Sequence, residues 1–343
     1  MLRKIYRATV PGFIRSIISG IRSLPAESRE FRRDYDRRGI RHSRTILFWD
    51  WVLCRAFLGA TPDDYFKYRF YDRTWRCRRE FITWRRMMWL IGAFNNGSED
   101  ERILVEDKTI FAEAFRDFTK RKILSSDGLT LEAFRAFVSK LGRVIIKPAD
   151  GFNGNDIYIL SGSDGEEAIR RAYGTFSSHK YTIEEVLAQD GMLREVNPGT
   201  CNTIRVNVIN NHGSFEIQNA VLRTGQGSRP VDNLSSGGMV SKVDVDTGTV
   251  ISLFCDVIGK RLLAHPLTGA VIIGRKIPQW ERVKEVAVEA ARRISRVKYT
   301  SWDIAVITGE DVAIVEGNTY GNFQNQQIVD QVGLWEHYRQ YLR

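Results

Sequence analysis

Cysteine is scarce. The 343-residue chain has four, Cys54, Cys77, Cys201 and Cys255, and none forms a CxxC pair. Scattered single cysteines give no disulfide framework, argue against a structural zinc site and fit a reducing compartment. Histidine is also scarce, with five residues and no spacing suited to a serine or cysteine nucleophile. His265, in AHPLTG, reads as a turn residue. Long apolar runs are missing. A membrane-spanning helix needs about 18 uncharged apolar residues, and the best stretch, TILFWDWVLCRAFLGA, is broken by Asp50 and Arg55. The N-terminus lacks the compact apolar run and small-residue cleavage site of a signal peptide. The location expected is cytoplasmic, with peripheral attachment at the inner face of the membrane as an extension. There is no internal repeat, and composition excludes collagen, coiled-coil and low-complexity classes.

What is present is a globular composition, 43% hydrophobic and 27% charged, in a chain long enough for about two domains. The net charge of +10 is unevenly placed. Residues 1–100 hold 21 Lys+Arg against 11 Asp+Glu, and residues 101–343 hold 30 against 30. Five of eight tryptophans also lie in the first hundred residues. Residues 2–24 space Ile5, Phe13, Ile14, Ile17, Ile18 and Ile21 as a basic amphipathic helix interrupted by Pro11-Gly12. That helix fits an anionic membrane surface, and it fits packing against the rest of the protein equally. The arginines of 26–46 read as a solvated face with internal ion pairs, or as a surface for polyanions. Residues 62–94 read as helix, with arginine stems over aromatic rings. A basic stripe alone is weak evidence for nucleic acid, which is not an expected partner.

Beyond residue 103 the pattern becomes α+β. Asp107–Lys120 and Leu131–Leu141 read as helices. Short β-branched runs follow at 144–147, 156–160 and 182–187. Hairpins are predicted over residues 204–223, around Thr247-Gly248, and from DIAVI to VAIVE. Pro278 opens a helix to about Val297, with Val283, Val286, Ala287, Ala290, Ala291 and Ile294 on one face.

Four constellations carry chemistry. VIIKPADGFNGNDIYIL puts Lys147 on a strand ahead of a glycine loop, where backbone N–H groups can approach an anion. It matches neither the GxxxxGK[ST] loop nor the dinucleotide fingerprint, and an ordinary tight hairpin reads as well. In DIAVI–GED–VAIVEGN, Asp303 starts one strand while Glu316 and Asn318 end its partner. Two carboxylates and an amide oxygen then converge, suiting magnesium shared with substrate phosphates, or simply capping a strand end. YTIEEVLAQ offers Glu184-Glu185 at a strand-to-loop crossing. In CNTIRVNVI, Arg205 lies in a strand that otherwise reads as buried, so it needs an anionic partner.

The order of these features resembles the ATP-grasp superfamily, and more narrowly the sugar-transfer-associated ATP-grasp proteins near the peptide- and glutamate-ligase branch. The resemblance covers about residues 60–335. It implies an α+β ATP-grasp fold, two subdomains gripping ATP, behind a basic helical N-terminal region. The expected boundaries are 1–100, 101–190 and 191–343. It implies that Lys108 and Lys147 bind the nucleotide phosphates and that Gly151, Phe152, Asn153 and Gly154 close over them. Glu184, Glu185 and Val186 meet the adenine edge. Arg205, with Lys147, serves the transferred phosphoryl group. Asp303, Glu316 and Asn318 hold one or two Mg2+ ions, with Mn2+ as a substitute. Asn233, Gly237 and Gly238 line the acceptor side. Gln189 and Asp190 are the candidates for the ribose.

The reaction implied is ATP-dependent ligation of a carboxylate to an amine through an acyl-phosphate, on a glycan- or peptide-like metabolite. Catalysis of that kind is mainly positioning and neutralisation of charge. Two alternatives stand beside it. One is a kinase on the same core. The other is a non-catalytic protein that binds a membrane or polyanion and keeps a vestigial ATP site.

Overall fold

The computed structural model describes residues 25–149, 157–189, 191–227, 232, 234–309, 311–320 and 323–342. The amphipathic segment expected over residues 2–24 lies outside them. The chain divides into two units, Met1–Leu90 with Asp330–Arg343, and Ile91–Val329.

The helices begin with α1 (residues 25–36), α2 (Arg44–Leu58), α3 (Pro62–Lys67), α4 (Trp75–Arg78) and α5 (Trp84–Phe94). Leu47, Trp51, Cys54 and Leu58 recur at helical spacing on α2 and are buried. They meet Phe31, Tyr65, Phe66, Phe70 and Phe81 in an aromatic core. The continuous helix predicted over 62–94 does not form. Thr61 and Asp64 close a capping box at the start of α3, Arg69 then turns left-handed at φ 51°, and Thr74 caps a new helix. The buried Asp64 carboxylate accepts from Thr61 N and Trp84 N at 3.0 and 2.8 Å. It therefore binds the restart of the chain to the first cap.

The second unit continues with α6 (Glu99–Glu106), α7 (Lys108–Ala114) and α8 (Arg116–Thr119). The helix predicted over 107–120 is thus broken at Phe115. A small antiparallel sheet follows, ordered β1-β4-β2-β3, from β1 (Ile123–Ser125), β2 (Arg143–Pro148), β3 (Tyr158–Ser161) and β4 (Tyr181–Glu185). Helices α9 (Leu131–Leu141) and α10 (Glu166–Thr175) pack with it around Phe134, Val138, Ile146 and Ile183.

After α11 (Gly191–Val196) comes a seven-stranded antiparallel sheet, ordered β11-β10-β5-β6-β7-β8-β9. Its strands are β5 (Thr203–Asn211), β6 (Ser214–Thr224), β7 (Met239–Val243), β8 (Phe254–Asp256), β9 (Arg261–Leu262), β10 (Tyr299–Ile307) and β11 (Asp311–Asn318). His212 and Gly213, both at positive φ, close the β5–β6 hairpin. The helix predicted from Pro278 forms as α12 (Trp280–Arg293) and buries the predicted face against this sheet. Each fully buried valine or isoleucine there contributes roughly 1.5–3 kcal/mol. Helices α13 (Gln324–Asp330) and α14 (Trp335–Arg339) end the chain. All four cysteines are free thiols.

Candidate active site

Strand alternation divides the large sheet into a packed face and a chemical face. Ile204, Val206 and Val208 of β5 are buried in the core with α12. The intervening Thr203, Arg205 and Asn207 point to the opposite face. The register sets Arg205 opposite Asp303, Thr203 opposite Arg223, Asp303 opposite Glu316 and Ser301 opposite Asn318. Paired residues share a face, so one surface gathers both signs of charge.

The anionic partner that Arg205 requires is Asp303. Arg205 Nε donates to Oδ1 at 2.7 Å and Nη2 to Oδ2 at 2.6 Å. Arg223, fully buried on β6, donates from Nη1 to the same Oδ2 and from Nη2 to Asp232 Oδ1 at 2.8 Å. Thr203 donates to the other Asp232 oxygen. Burial by itself raises the pKa of Asp303, but the two guanidiniums outweigh it and hold the carboxyl at about 2. Glu316 is exposed along part of its surface. Enclosure in the cleft and the neighbouring Asp303 carboxylate push its pKa up, and water dampens the first effect. Arg205, Arg223 and, least of the three, Lys147 from the small sheet oppose the rise without cancelling it.

On the small sheet, β2 and β4 pair Ile145 with Glu184 and Lys147 with Thr182. Glu184 Oε2 accepts from Lys147 Nζ and from Arg121 Nε, each at 2.8 Å. Desolvation of this buried carboxyl is overcome by the two cations, which bring its pKa to about 2. Arg121 also donates to the carbonyls of Ile314 and Val315 on β11, at 2.7 and 2.9 Å. Lys108, the first residue of α7, donates from Nζ to Pro148 O at 2.6 Å, beside Lys147. Lys147, Glu184, Glu185 and Val186 line one cavity of about 350 Å³, with Ile145 and Ile159 among its apolar walls. Cys201 borders it too, but burial pushes its thiol up to about 12, so it is no nucleophile at neutral pH.

Of the residues singled out in the sequence, Gly151, Phe152, Asn153, Gly154, Asn233 and Asp190 lie outside the described residues. Gly237 and Gly238 join the turn Leu234–Ser236 to β7. Gln189 is not available for a ribose. Its side chain donates to the carbonyls of Asn202 and Val306 at 2.9 and 3.0 Å and accepts from Asn202 N at 2.7 Å, which holds two strand ends together. Arg121, Arg223 and Asp232 escaped the sequence reading. Register across the β5–β6 hairpin could have found Arg223. Nothing local distinguishes Arg121 from the arginines around it.

The donor set Asp303, Glu316 and Asn318 suits a hard cation. Asn318 Nδ2 is buried and has no hydrogen-bond partner among the described residues, so the amide is not fixed by protein. Among the described residues no three His, Cys, Asp or Glu side chains are grouped to cage a metal. Two carboxylates and an amide are donors of the kind Mg2+ takes when phosphate oxygens and water complete its shell, and in this structure Asp303 gives both oxygens to Arg205 and Arg223, which leaves Glu316 and Asn318 as the more open donors.

Solved structures similar to this chain include an ATP-grasp ligase. The ligase PsnB, complexed with a phosphomimetic variant of its minimal precursor, Mg and ADP, is 15% identical with a TM-score of 0.45. The match covers 73% of this chain and 61% of that one, so this chain spans under two thirds of the ligase's length. D-cycloserine synthetase DcsG is 13% identical over 69% of each chain, with a TM-score of 0.45. D-alanine–D-alanine ligase from Bacillus anthracis is 12% identical over 70% of this chain and 66% of that one, with a TM-score of 0.42. No curated protein matches the chain. Residues 86–341, well over half of the sequence, match the family described as sugar-transfer associated ATP-grasp. Two antiparallel sheets, with a lysine–glutamate pair on one and an aspartate–glutamate pair on the other, thus have their family: this chain is a sugar-transfer-associated ATP-grasp protein.

Proposed function

We propose that the protein is an ATP-dependent ligase that joins a carboxylate to an amine through an acyl-phosphate. The observation that carries this reading is geometric. Arg121 donates to Glu184, which also accepts from Lys147, and to the carbonyls of Ile314 and Val315, so the phosphate-side lysine on the small sheet is tied to the strand of the large sheet that carries Glu316 and Asn318. In this reading residues 101–190 and 191–343 are the two jaws, and the cavity beside Glu184–Val186 takes the adenine. Asp303, Glu316 and Asn318 hold Mg2+, which supplies charge neutralisation at the transferred phosphate. Lys108 and Lys147 bind phosphate oxygens, and Gly151–Gly154 cover them. Arg205, oriented by Asp303, meets the developing charge.

The chemistry balances simply. A carboxylate oxygen of the substrate bonds to the γ-phosphorus and ADP leaves. The amine nitrogen then bonds to the acyl carbon, phosphate departs, and the amine gives up a proton. The acceptor side, with Asn233, Gly237 and Gly238, takes a glycan- or peptide-like metabolite. The family description supports a sugar-transfer setting.

Calorimetry on the wild type and Glu316→Ala tests the reading. ATP binding that depends on magnesium and weakens in the variant is expected. A folded wild type that does not bind ATP removes the enzyme assignment. With binding in hand, release of ADP and phosphate only when a carboxylate and an amine are both supplied separates a ligase from a kinase.

A further inference from the structure

Helix α2 is apolar on two sides. One side is the buried stripe Leu47, Trp51, Cys54 and Leu58. The other carries Ile46, Trp49, Leu53 and Phe57, spaced by three, four and four, and these are 69%, 63%, 52% and 60% exposed. Burying the first stripe accounts for the helix's packing. Among the described residues, nothing in the packing of this unit accounts for the second. Trp75 extends it, with its ring edge-on to Phe57 at 6.1 Å. Contiguous exposed apolar surface of this kind marks an interaction site.

The charge around the stripe identifies its partner. Residues 25–90 with 330–342 hold 17 Lys+Arg against 11 Asp+Glu, a net +6, while residues 91–329 hold 28 against 30, a net −2. Arg44 at the start of α2 is exposed, with Asp36 at 3.7 Å. Arg85 reaches the Phe57 carbonyl at its end, at 3.0 Å. Arg76 is exposed beside Trp75. Asp50, the one acid of α2, is neutralised by Arg78 at 2.7 Å and accepts from Tyr65 Oη at 2.8 Å. The face is therefore aromatic and aliphatic at its centre, cationic at its rim and free of uncompensated acid.

We propose that this outer face of α2, with Trp75, docks on the surface of an anionic lipid bilayer. Tryptophan, leucine and phenylalanine enter the interfacial region in such docking, and guanidiniums meet the lipid phosphates. Each arginine near the surface adds to the attraction. This site is built from residues other than 2–24 and is independent of the ligase chemistry.

The test is co-sedimentation of the full chain with vesicles of phosphatidylcholine, or of phosphatidylcholine with phosphatidylglycerol. The wild type is expected to bind the anionic vesicles, less so in high salt, and to ignore the neutral ones. The triple variant Trp49→Gln, Leu53→Gln, Phe57→Gln removes only solvent-facing side chains. It should keep the wild-type Tm and lose affinity by about ten-fold or more. The pair Arg44→Glu, Arg76→Glu should lose the preference for anionic lipid. Either set binding as tightly as the wild type overturns the proposal, and so does a wild type that stays off the vesicles. Wild-type self-association in sedimentation velocity that the triple variant abolishes also overturns it, because the face would then be a contact between copies.

Discussion

Glu184 is buried and gives one oxygen to both Lys147 and Arg121. Removing one partner of a buried ion group costs more than the group's net worth, because a charge is left unpaired. Glu184→Gln should therefore lower stability by about 3–5 kcal/mol, read as a fall in Tm. Lys147→Met in the same background should recover part of the loss, since one of the stranded charges goes with it. Failure of the single variant to lower Tm would mean that the three groups are not coupled. The residue scale also explains what could be read in advance. Arg205 announced itself, because a charged side chain alternating with Ile204 and Val206 has to find an anion. Arg121 did not, because its partners are the carboxylate of Glu184 and two backbone carbonyls nearly 200 positions away.

At the scale of elements, Gly317 shows how tightly the metal-side strand is held. It stands between Glu316 and Asn318, and a Cβ there would come within 2.6 Å of the Trp302 ring and 2.7 Å of Val105. Overpacking of this kind costs about 1–3 kcal/mol. Gly317→Ala should lower Tm by a corresponding amount and also weaken magnesium-dependent ATP binding, because the displaced strand carries both candidate ligands. A variant that loses stability yet binds ATP and magnesium normally would separate this strand from the metal. The hairpins and α12 were legible because period-two and helical spacing survive in their sequences. The helices of 62–94 were not, because aromatic and arginine residues at helical spacing say nothing of the stop at Arg69. Asn95 follows the last residue of α5, and its amide bonds the backbones of Tyr299 and Thr319, tying the start of β10 to the residue after β11, a role no local pattern shows.

For the whole molecule, the depressed carboxyls set the response to acid. Glu184 and Asp303 ordinarily titrate at 4.5 and 3.8 and sit at about 2 in the folded protein. A lowered folded pKa means stability that is complete above the ordinary value and lost as pH falls through the folded one. Glu316 has the opposite sign: its contribution is complete below its ordinary value and is lost as pH rises through its raised pKa. Asp64, raised by burial to about 6, shares that sign, and so do Glu30 and Asp34. Their contributions are complete below their ordinary values, so the acid limb belongs to Glu184 and Asp303, and Tm should fall steeply from about pH 4.5 towards 2. Glu184→Gln should flatten that fall, and an unchanged slope in the variant would assign acid sensitivity to other carboxylates. Among the described residues no helix is long and apolar enough to cross a membrane.

One irregularity in β11 reaches further than its size suggests. The ladder pairs Asp303 with Glu316 but Ile304 with Ile314, so Val315 is supernumerary. An odd insertion reverses parity. Ile314 and Glu316, which an unbroken strand would turn the same way, are sent to opposite faces, one to the hydrophobic core and one to the carboxylate cluster. The spare residue also presents its carbonyl to Arg121. A single uncounted residue thus decides whether the strand reads as core on both halves or as core and then site, and no pattern of hydrophobic alternation could have betrayed it.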